Sequence, residues 1–220
     1  MTASDHPDNP TRDRIARSVT RAPIFGVVRT TTTEEAERQA RAFIDGGLEL
    51  IEITFTVPGA AELIRQLRSD RGEDGPPWIG AGTVTSSRRA HEALAHGAEF
   101  LLTPNVSSEV AGAAREAGVF LILGALTPTE IVAAHRLGAD LVKVYPLPPI
   151  GGAKYLAIVR EPLDNIPMLA AGGFGVSEIP AYRDAGAVAF GIGSQLLGSP
   201  GDGDQRQRIK DALAAARGER

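Results

Sequence analysis

The sequence predicts an α/β fold: a (β/α)8 TIM barrel forming a single domain, with a short N-terminal helix. Three observations carry this expectation. From Pro23 onward, apolar β-branched runs of about five residues alternate with amphipathic stretches rich in Ala, Glu, Arg and Leu. Such alternation builds a parallel sheet with right-handed crossovers. Eight of these units fit between Ile24 and Ala216, a spacing short enough to favour closure into a barrel over a doubly wound open sheet. The glycine fingerprint of the open dinucleotide-binding sheet is also missing: Gly80-Ala81-Gly82-Thr83 lacks the third glycine.

Taken in order, residues 1–10 are polar, carry two prolines and read as a disordered tail, and Thr11–Arg21 reads as a helix outside the main unit. Residues 11–220 are assigned to the barrel domain. The predicted strands are Ile24–Val28, Leu48–Phe55, Trp78–Gly82, Phe100–Leu102, Val119–Leu123, Ala139–Tyr145, Met168–Ala171 and Val188–Ile192. The predicted helices are Thr33–Asp45, Gly59–Ser69, Ser86–Ala95, Ser107–Ala117, Pro128–Leu137, Gly152–Val159, Val176–Ala185 and Gln205–Ala216. Thr33, Ser86, Ser107, and Ser177 or Thr127, suit N-caps, because their hydroxyls accept from exposed first-turn amides. Gly46, Gly97, Gly118, Gly138 and Gly186 suit left-handed helix ends.

Composition narrows the function. The chain has 220 residues and a mass of 23.1 kDa, enough for one domain with a large core. The net charge is −4, with no basic run, which argues against a nucleic-acid partner. There is no cysteine, so disulfides and thiol chemistry are excluded. No apolar run approaches a membrane span, and Met1–Asn9 lacks an apolar signal core, so a cytoplasmic protein is expected. The four histidines are too scattered for metal-ligand spacing, and no metal or cofactor is expected.

One strand carries an anomaly. The chain has only three lysines, and Lys143 lies within the apolar run Leu141-Val142-Lys143-Val144-Tyr145. A strand apolar on both sides of its charge reads as covered on both faces, where a charged amine is costly. Two readings stand: a lysine that reaches solvent or pairs with Asp140, or an amine used as a Schiff-base nucleophile. Strand parity adds a partner. In Leu50-Ile51-Glu52-Ile53-Thr54-Phe55, residues 50, 52 and 54 share the lumen face. On the sixth strand the same parity places Leu141, Lys143 and Tyr145 inside. Glu52 and Lys143 are thus expected in one cavity, either as a buried ion pair or as reacting groups. Barrel chemistry sits at the C-terminal strand ends. Those ends supply Arg29, Thr83, Thr103-Pro104-Asn105, Gly124, Ala171-Gly172-Gly173 and Gly191-Ile192-Gly193-Ser194. The glycine turns after strands seven and eight suit a phosphate, whose oxygens need close backbone amides.

These motifs, in this order and spacing, resemble the 2-keto-3-deoxy-6-phosphogluconate (KDPG) and 4-hydroxy-2-oxoglutarate (KHG) aldolase family. The matching pieces are Val28-Arg29, Leu50 to Pro58, Gly80 to Thr85, Thr103-Pro104-Asn105, Lys143-Val144-Tyr145-Pro146, Gly172-Gly173 and Gly191 to Ser194. The resemblance implies a class I aldolase acting on a small phosphorylated keto acid without metal, on a (β/α)8 barrel assembled as a homotrimer. It implies that Lys143 forms the Schiff base and Glu52 shuttles protons. Arg29 and Thr83 would hold the pyruvyl carboxylate, and Gly172, Gly173, Gly193 and Ser194 the phosphate. Thr54, Pro104, Tyr145 and Ala171 would line the pocket. The sequence departs from the pattern at Thr56, where many members carry arginine. It also has Ala170-Ala171 where gluconate-type members have Pro-Thr. The related 2-dehydro-3-deoxy-6-phosphogalactonate aldolases carry an apolar residue at that place and share Thr-Pro-Asn. The alternatives are therefore a phosphogalactonate or hydroxyoxoglutarate aldolase, or a non-catalytic sugar-phosphate-binding barrel. Other phosphate-handling barrels, such as thiamine phosphate synthase, need different strand-end residues.

Overall fold

In the computed structural model, which describes residues 9–71, 75–198 and 204–219, eight parallel strands close into a barrel in sequence order, β1 pairing with β8. The strands are β1 Ile24–Val28, β2 Leu50–Thr54, β3 Trp78–Gly82, β4 Phe100–Leu102, β5 Phe120–Ala125, β6 Leu141–Val144, β7 Met168–Ala171 and β8 Ala189–Ile192. The α-helices among the described residues are α1 Pro10–Arg21, α2 Thr33–Asp45, α3 Ala60–Arg71, α4 Ser87–Ala95, α5 Ser108–Ala117, α6 Pro128–Arg136, α7 Gly152–Arg160, α8 Ile179–Asp184 and α9 Gln205–Arg217. The (β/α)8 expectation holds.

Two apolar layers follow from the period-2 pleat. Ile51, Ile53, Val142 and Val144 face outward into the layer between barrel and helices. Phe25, Leu50, Trp78, Phe100, Phe120, Leu141 and Leu169 fill the lumen instead. The strand parity read from the sequence is therefore the parity of the structure for β2 and β6. The lumen residues crowd toward the N-terminal end, so the barrel has a solid floor. Helix α1 belongs to that floor rather than lying outside the unit. Its Ile15 and Val19 join the lumen cluster, and Trp78 Nε1 donates to Ser18 Oγ at 2.8 Å. Of the expected disordered tail, residues 1–8 lie outside the described residues. Asn9 caps α1 by accepting from the Thr11 amide, and Pro10 occupies the first turn, where its missing N–H costs nothing.

Several local expectations are corrected. Thr32, not Thr33, caps α2; Thr33 Oγ1 donates to the Pro58 carbonyl at 2.7 Å. Gly46 has φ −74 and is small because Ile209 packs on it: a Cβ there would lie 2.2 Å from Ile209 Cδ1. The left-handed residue is Gly47, at φ 96. Thr127 caps α6 in a reciprocal capping box with Glu130, whereas Ser177 sits inside a 3-10 turn, Val176–Glu178. That turn precedes α8, so the predicted helix 176–185 is divided, with Pro180 in the first turn of the α-helical part.

Candidate active site

Glu52 is fully buried on the lumen face of β2, and neither carboxylate oxygen has a hydrogen-bond partner among the described residues. A buried carboxylate without partners is costly, and such groups persist where chemistry requires them. Gly82, in register with Thr54 on the neighbouring strand, makes the room for it. A Cβ at Gly82 would lie 1.9 Å from Glu52 Oε1 and 2.4 Å from its Cγ. Lys143, 8% exposed, projects into the same lumen from β6, four strands around the closed barrel. The pairing readings of Lys143 find no support among the described residues. Asp140 is held instead by Arg12, with Nη2 to Oδ1 at 2.7 Å and Nε to Oδ1 at 3.0 Å, and it also accepts from the Leu121 amide. No hydrogen bond joins Lys143 to Glu52, whose oxygens are both unpartnered.

Arg29, just past the end of β1, spans two hydroxyls at the barrel mouth. Its Nη1 donates to Thr56 Oγ1 at 3.0 Å and its Nη2 to Thr83 Oγ1 at 2.9 Å. Thr83 has φ 56, the one positive φ outside glycine among the described residues. A β-branched residue there is strained by about 1–3 kcal/mol, and such strain concentrates at functional positions. Thr54 lies beneath this group, fully buried, donating to the Val28 carbonyl at 2.9 Å.

The loops after β7 and β8 lie at the same end of the barrel. Gly172 and Gly173 have φ 136 and 89. A Cβ at Gly172 would lie 2.8 Å from the Leu147 nitrogen, while one at Gly173 would meet nothing within 4 Å. The amides of Gly172, Gly173, Gly193 and Ser194 donate to no acceptor among the described residues. Ser194 opens a 3-10 turn, Ser194–Leu196, and is exposed. The two loops thus present unpaired N–H groups to solvent near a helical start, the arrangement that favours an anion. At the opposite end, a groove of about 650 Å³ lies between α1 and the barrel floor, lined in part by Val19, Phe120, Leu141 and Val188. Of the residues just described only Asp140 lines it; Glu52, Lys143, Arg29, Thr83 and the glycine turns do not. Among the described residues, no group of three His, Cys, Asp or Glu side chains is placed to hold a metal ion.

The chain matches a known family over most of its length. The model of KDPG and KHG aldolase covers residues 15–211. The chain belongs to this family. It is 31% identical over 205 residues to a probable 2-dehydro-3-deoxy-6-phosphogalactonate aldolase of Rhizobium meliloti, covering 92% of this chain and 95% of the relative. It is 30% identical over 168 residues to a 2-dehydro-3-deoxy-phosphogluconate aldolase of Treponema pallidum, covering 76% and 79%. A solved 4-hydroxy-2-oxoglutarate/2-dehydro-3-deoxyphosphogluconate aldolase superposes with a TM-score of 0.78 at 28% identity, covering 96% of this chain and all of that one.

Within this aldolase the remaining expected residues are distributed as follows. Ala171 is buried in the lumen beside Gly191, whose added Cβ would lie 3.4 Å from Ala171 Cβ. The Pro104 backbone crosses so close to β5 that a Cβ at Gly124 would sit 2.2 Å from its carbonyl carbon. Tyr145 is the correction: parity put it inside, but β6 ends at Val144 and Tyr145 is 42% exposed at the mouth. Its ring still lies 5.3 Å from Lys143 Nζ, a cation–π distance. Gly82 and Thr56 were not read from the sequence as site residues. For Gly82 the signal existed: Trp78, Gly80 and Gly82 share the lumen parity of β3. Thr56 was marked only as a departure from the family pattern; its bond to Arg29, 27 residues away, was not legible.

Proposed function

We propose that this aldolase cleaves a 2-keto-3-deoxy-6-phospho sugar acid to pyruvate and glyceraldehyde 3-phosphate through a Schiff base on Lys143. The observation that carries the reading is the pair of lumen groups: a lysine on a largely buried strand position and a buried carboxylate with no hydrogen-bond partner among the described residues. The Lys143 amine, having given up its proton, attacks the C2 ketone, and the carbinolamine loses water to give a protonated imine. Glu52 carries protons in that step, then takes the C4 hydroxyl proton. The electrons of the C3–C4 bond flow into the imine, the aldehyde leaves, and an enamine of pyruvate remains. Protonation at C3 and hydrolysis release pyruvate and the free amine. Arg29 and Thr83 hold the carboxylate, while the amides of Gly172, Gly173, Gly193 and Ser194, with the Ser194 hydroxyl, hold the phosphate. Charge-assisted bonds of this kind are needed because the chain as a whole is acidic, at −4. Relatives named for the gluconate and the galactonate acids match about equally well, at 30% and 31% identity. Ala171, in the lumen beside Gly191, favours the galactonate-type C4 configuration as a second reading. We assign the enzyme to the cytoplasm as a homotrimer, following the family resemblance; light scattering reads the assembly directly. Among the described residues no helix is long and apolar enough to cross a membrane.

The deciding experiment is reduction with borohydride in the presence of pyruvate, followed by peptide mass mapping. A pyruvate-derived adduct on Lys143 is expected; an adduct elsewhere, or none, removes the Schiff-base reading. Glu52→Gln should retain the adduct while slowing turnover about 10²–10⁴-fold. A coupled assay with the two C4 epimers side by side then assigns the substrate.

A further inference from the structure

The hydroxyls of Thr54 and Thr56 have only one consistent arrangement of hydrogens. Thr54 Oγ1 spends its single hydrogen on the Val28 carbonyl, at 2.9 Å. The 2.9 Å bond between Thr54 Oγ1 and Thr56 Oγ1 must therefore be donated by Thr56. Thr56, its hydrogen committed downward, can only accept from Arg29 Nη1, and it does so at 3.0 Å. The chain of donors runs Arg29, Thr56, Thr54, Val28 carbonyl, and returns to the peptide unit next to Arg29 itself. The base of this chain is rigid, because Thr54 is fully buried within β2. Its upper end is an arginine exposed at the mouth of the barrel.

We propose that Thr56 is a positioning residue for substrate: it does not touch the keto acid, but fixes the guanidinium of Arg29 that does. The proposal rests on the aldolase reading of the site. Two consequences distinguish it. Neither Thr54 nor Thr56 has a hydrogen left for a substrate carboxylate, so both act only through Arg29. Thr83 differs: its oxygen receives Arg29 Nη2 at 2.9 Å, and its own hydrogen bonds nothing among the described residues. The Thr83 hydroxyl is therefore left as a donor, set beside the guanidinium to form a two-point clamp. Thr56 thus takes part in carboxylate recognition without a charge of its own.

The test is a double-mutant cycle in the full-length enzyme with the cleavable phosphorylated keto acid, supported by pyruvate trapping. Thr56→Val keeps the shape and removes the hydroxyl. It should raise KM about tenfold, the low end for a bond to a charged group, with kcat changed less than about twofold. Thr56→Ser should restore wild-type KM. Arg29→Ala should raise KM further still, and adding Thr56→Val to it should change nothing more, because the only route from Thr56 to substrate has gone. Equal effects of Thr56→Val with and without Arg29 would mean direct contact and overturn the proposal. A Thr56→Val enzyme with wild-type KM would do the same. If the wild-type enzyme forms no pyruvate adduct on Lys143, the aldolase reading fails first. An adduct together with a silent Thr56→Val defeats this inference alone.

Discussion

Gly82→Ala tests the placement of Glu52, the proposed general base, without touching it. The added methyl would start 1.9 Å from Glu52 Oε1 and 2.4 Å from both Cδ and Cγ, where ordinary contact begins near 3.4 Å. The carboxylate must withdraw by about 1.5 Å, and because Cγ clashes as well, the whole side chain has to turn rather than its tip alone. Gly82 is not in the left-handed region, so its backbone accepts alanine. A misplacement of about 1 Å in a catalytic group costs on the order of 100-fold, and kcat is expected to fall by at least that much. Overpacking should also destabilise by about 1–3 kcal/mol, a melting shift of about 2–12 °C for a chain of this size. Pyruvate release coupled to NADH oxidation reads turnover, and thermal melting reads stability. Borohydride trapping confirms that Lys143 remains reactive. A variant that folds, traps pyruvate and turns over within about threefold of wild type would refute the placement of Glu52 as the proton carrier.

Gly80→Ala should behave oppositely. Its Cβ would meet the Phe100 ring at 2.3–2.5 Å, and that ring is held edge-on against Phe25, so the expected result is a loss of about 1–3 kcal/mol with kcat retained. Ser194→Ala should raise KM for the phosphorylated acid about tenfold while leaving the pyruvate trapping concentration unchanged; equal effects on both would argue against a phosphate role. Glu130→Gln tests the α6 capping box by pH. The amides of Thr127 and Leu126, then the Thr127 hydroxyl, hold the Glu130 carboxyl below its ordinary value. A depressed carboxyl contributes stability above its unfolded value and loses it as pH falls. The variant should therefore melt earlier at pH 7, with the gap closing below about pH 4.3. Thr127→Ala should cost about 1 kcal/mol in chemical denaturation.

The lumen positions of Glu52 and Lys143 were legible because alternation is a property of any extended strand, whatever its neighbours. That rule stops where the strand stops, which is why Tyr145 was misplaced. Its amide still bonds the Ala125 carbonyl at 3.0 Å, but β6 ends one residue earlier and the side chain is 42% exposed at the mouth. Strand ends overshot for a related reason. Leu48 is buried, 2% exposed, yet it lies before β2, where it packs in the layer beneath the helices. Apolar character reports burial, and burial extends beyond the ladder. Helix α1 was legible as a helix but not as a floor, since Ile15, Ser18 and Val19 do not reveal which surface they cover. The grip on Arg29 was the least legible part. Its two acceptors are 27 and 54 residues away, and only the register of β1, β2 and β3 brings them together.

The barrel interior explains why one strand carries two glycines. On β3 the lumen positions are Trp78, Gly80 and Gly82, a sequence of one large side chain and two absent ones. The absences are filled differently. At Gly80 the Phe100 ring enters, and with Phe25, Trp78 and Phe120 it completes an apolar floor. At Gly82 the Glu52 carboxylate enters, and the apolar filling ends there. A lumen packed uniformly with branched side chains would be stable and inert. Here the filling changes from ring to carboxylate within a single two-residue step along β3. Glu52 is backed from the side by the backbone at Gly82, yet remains without a hydrogen-bonding partner among the described residues. Rigid support without a competing hydrogen bond is what a proton carrier requires: its geometry is fixed in advance and its lone pairs stay available to the substrate.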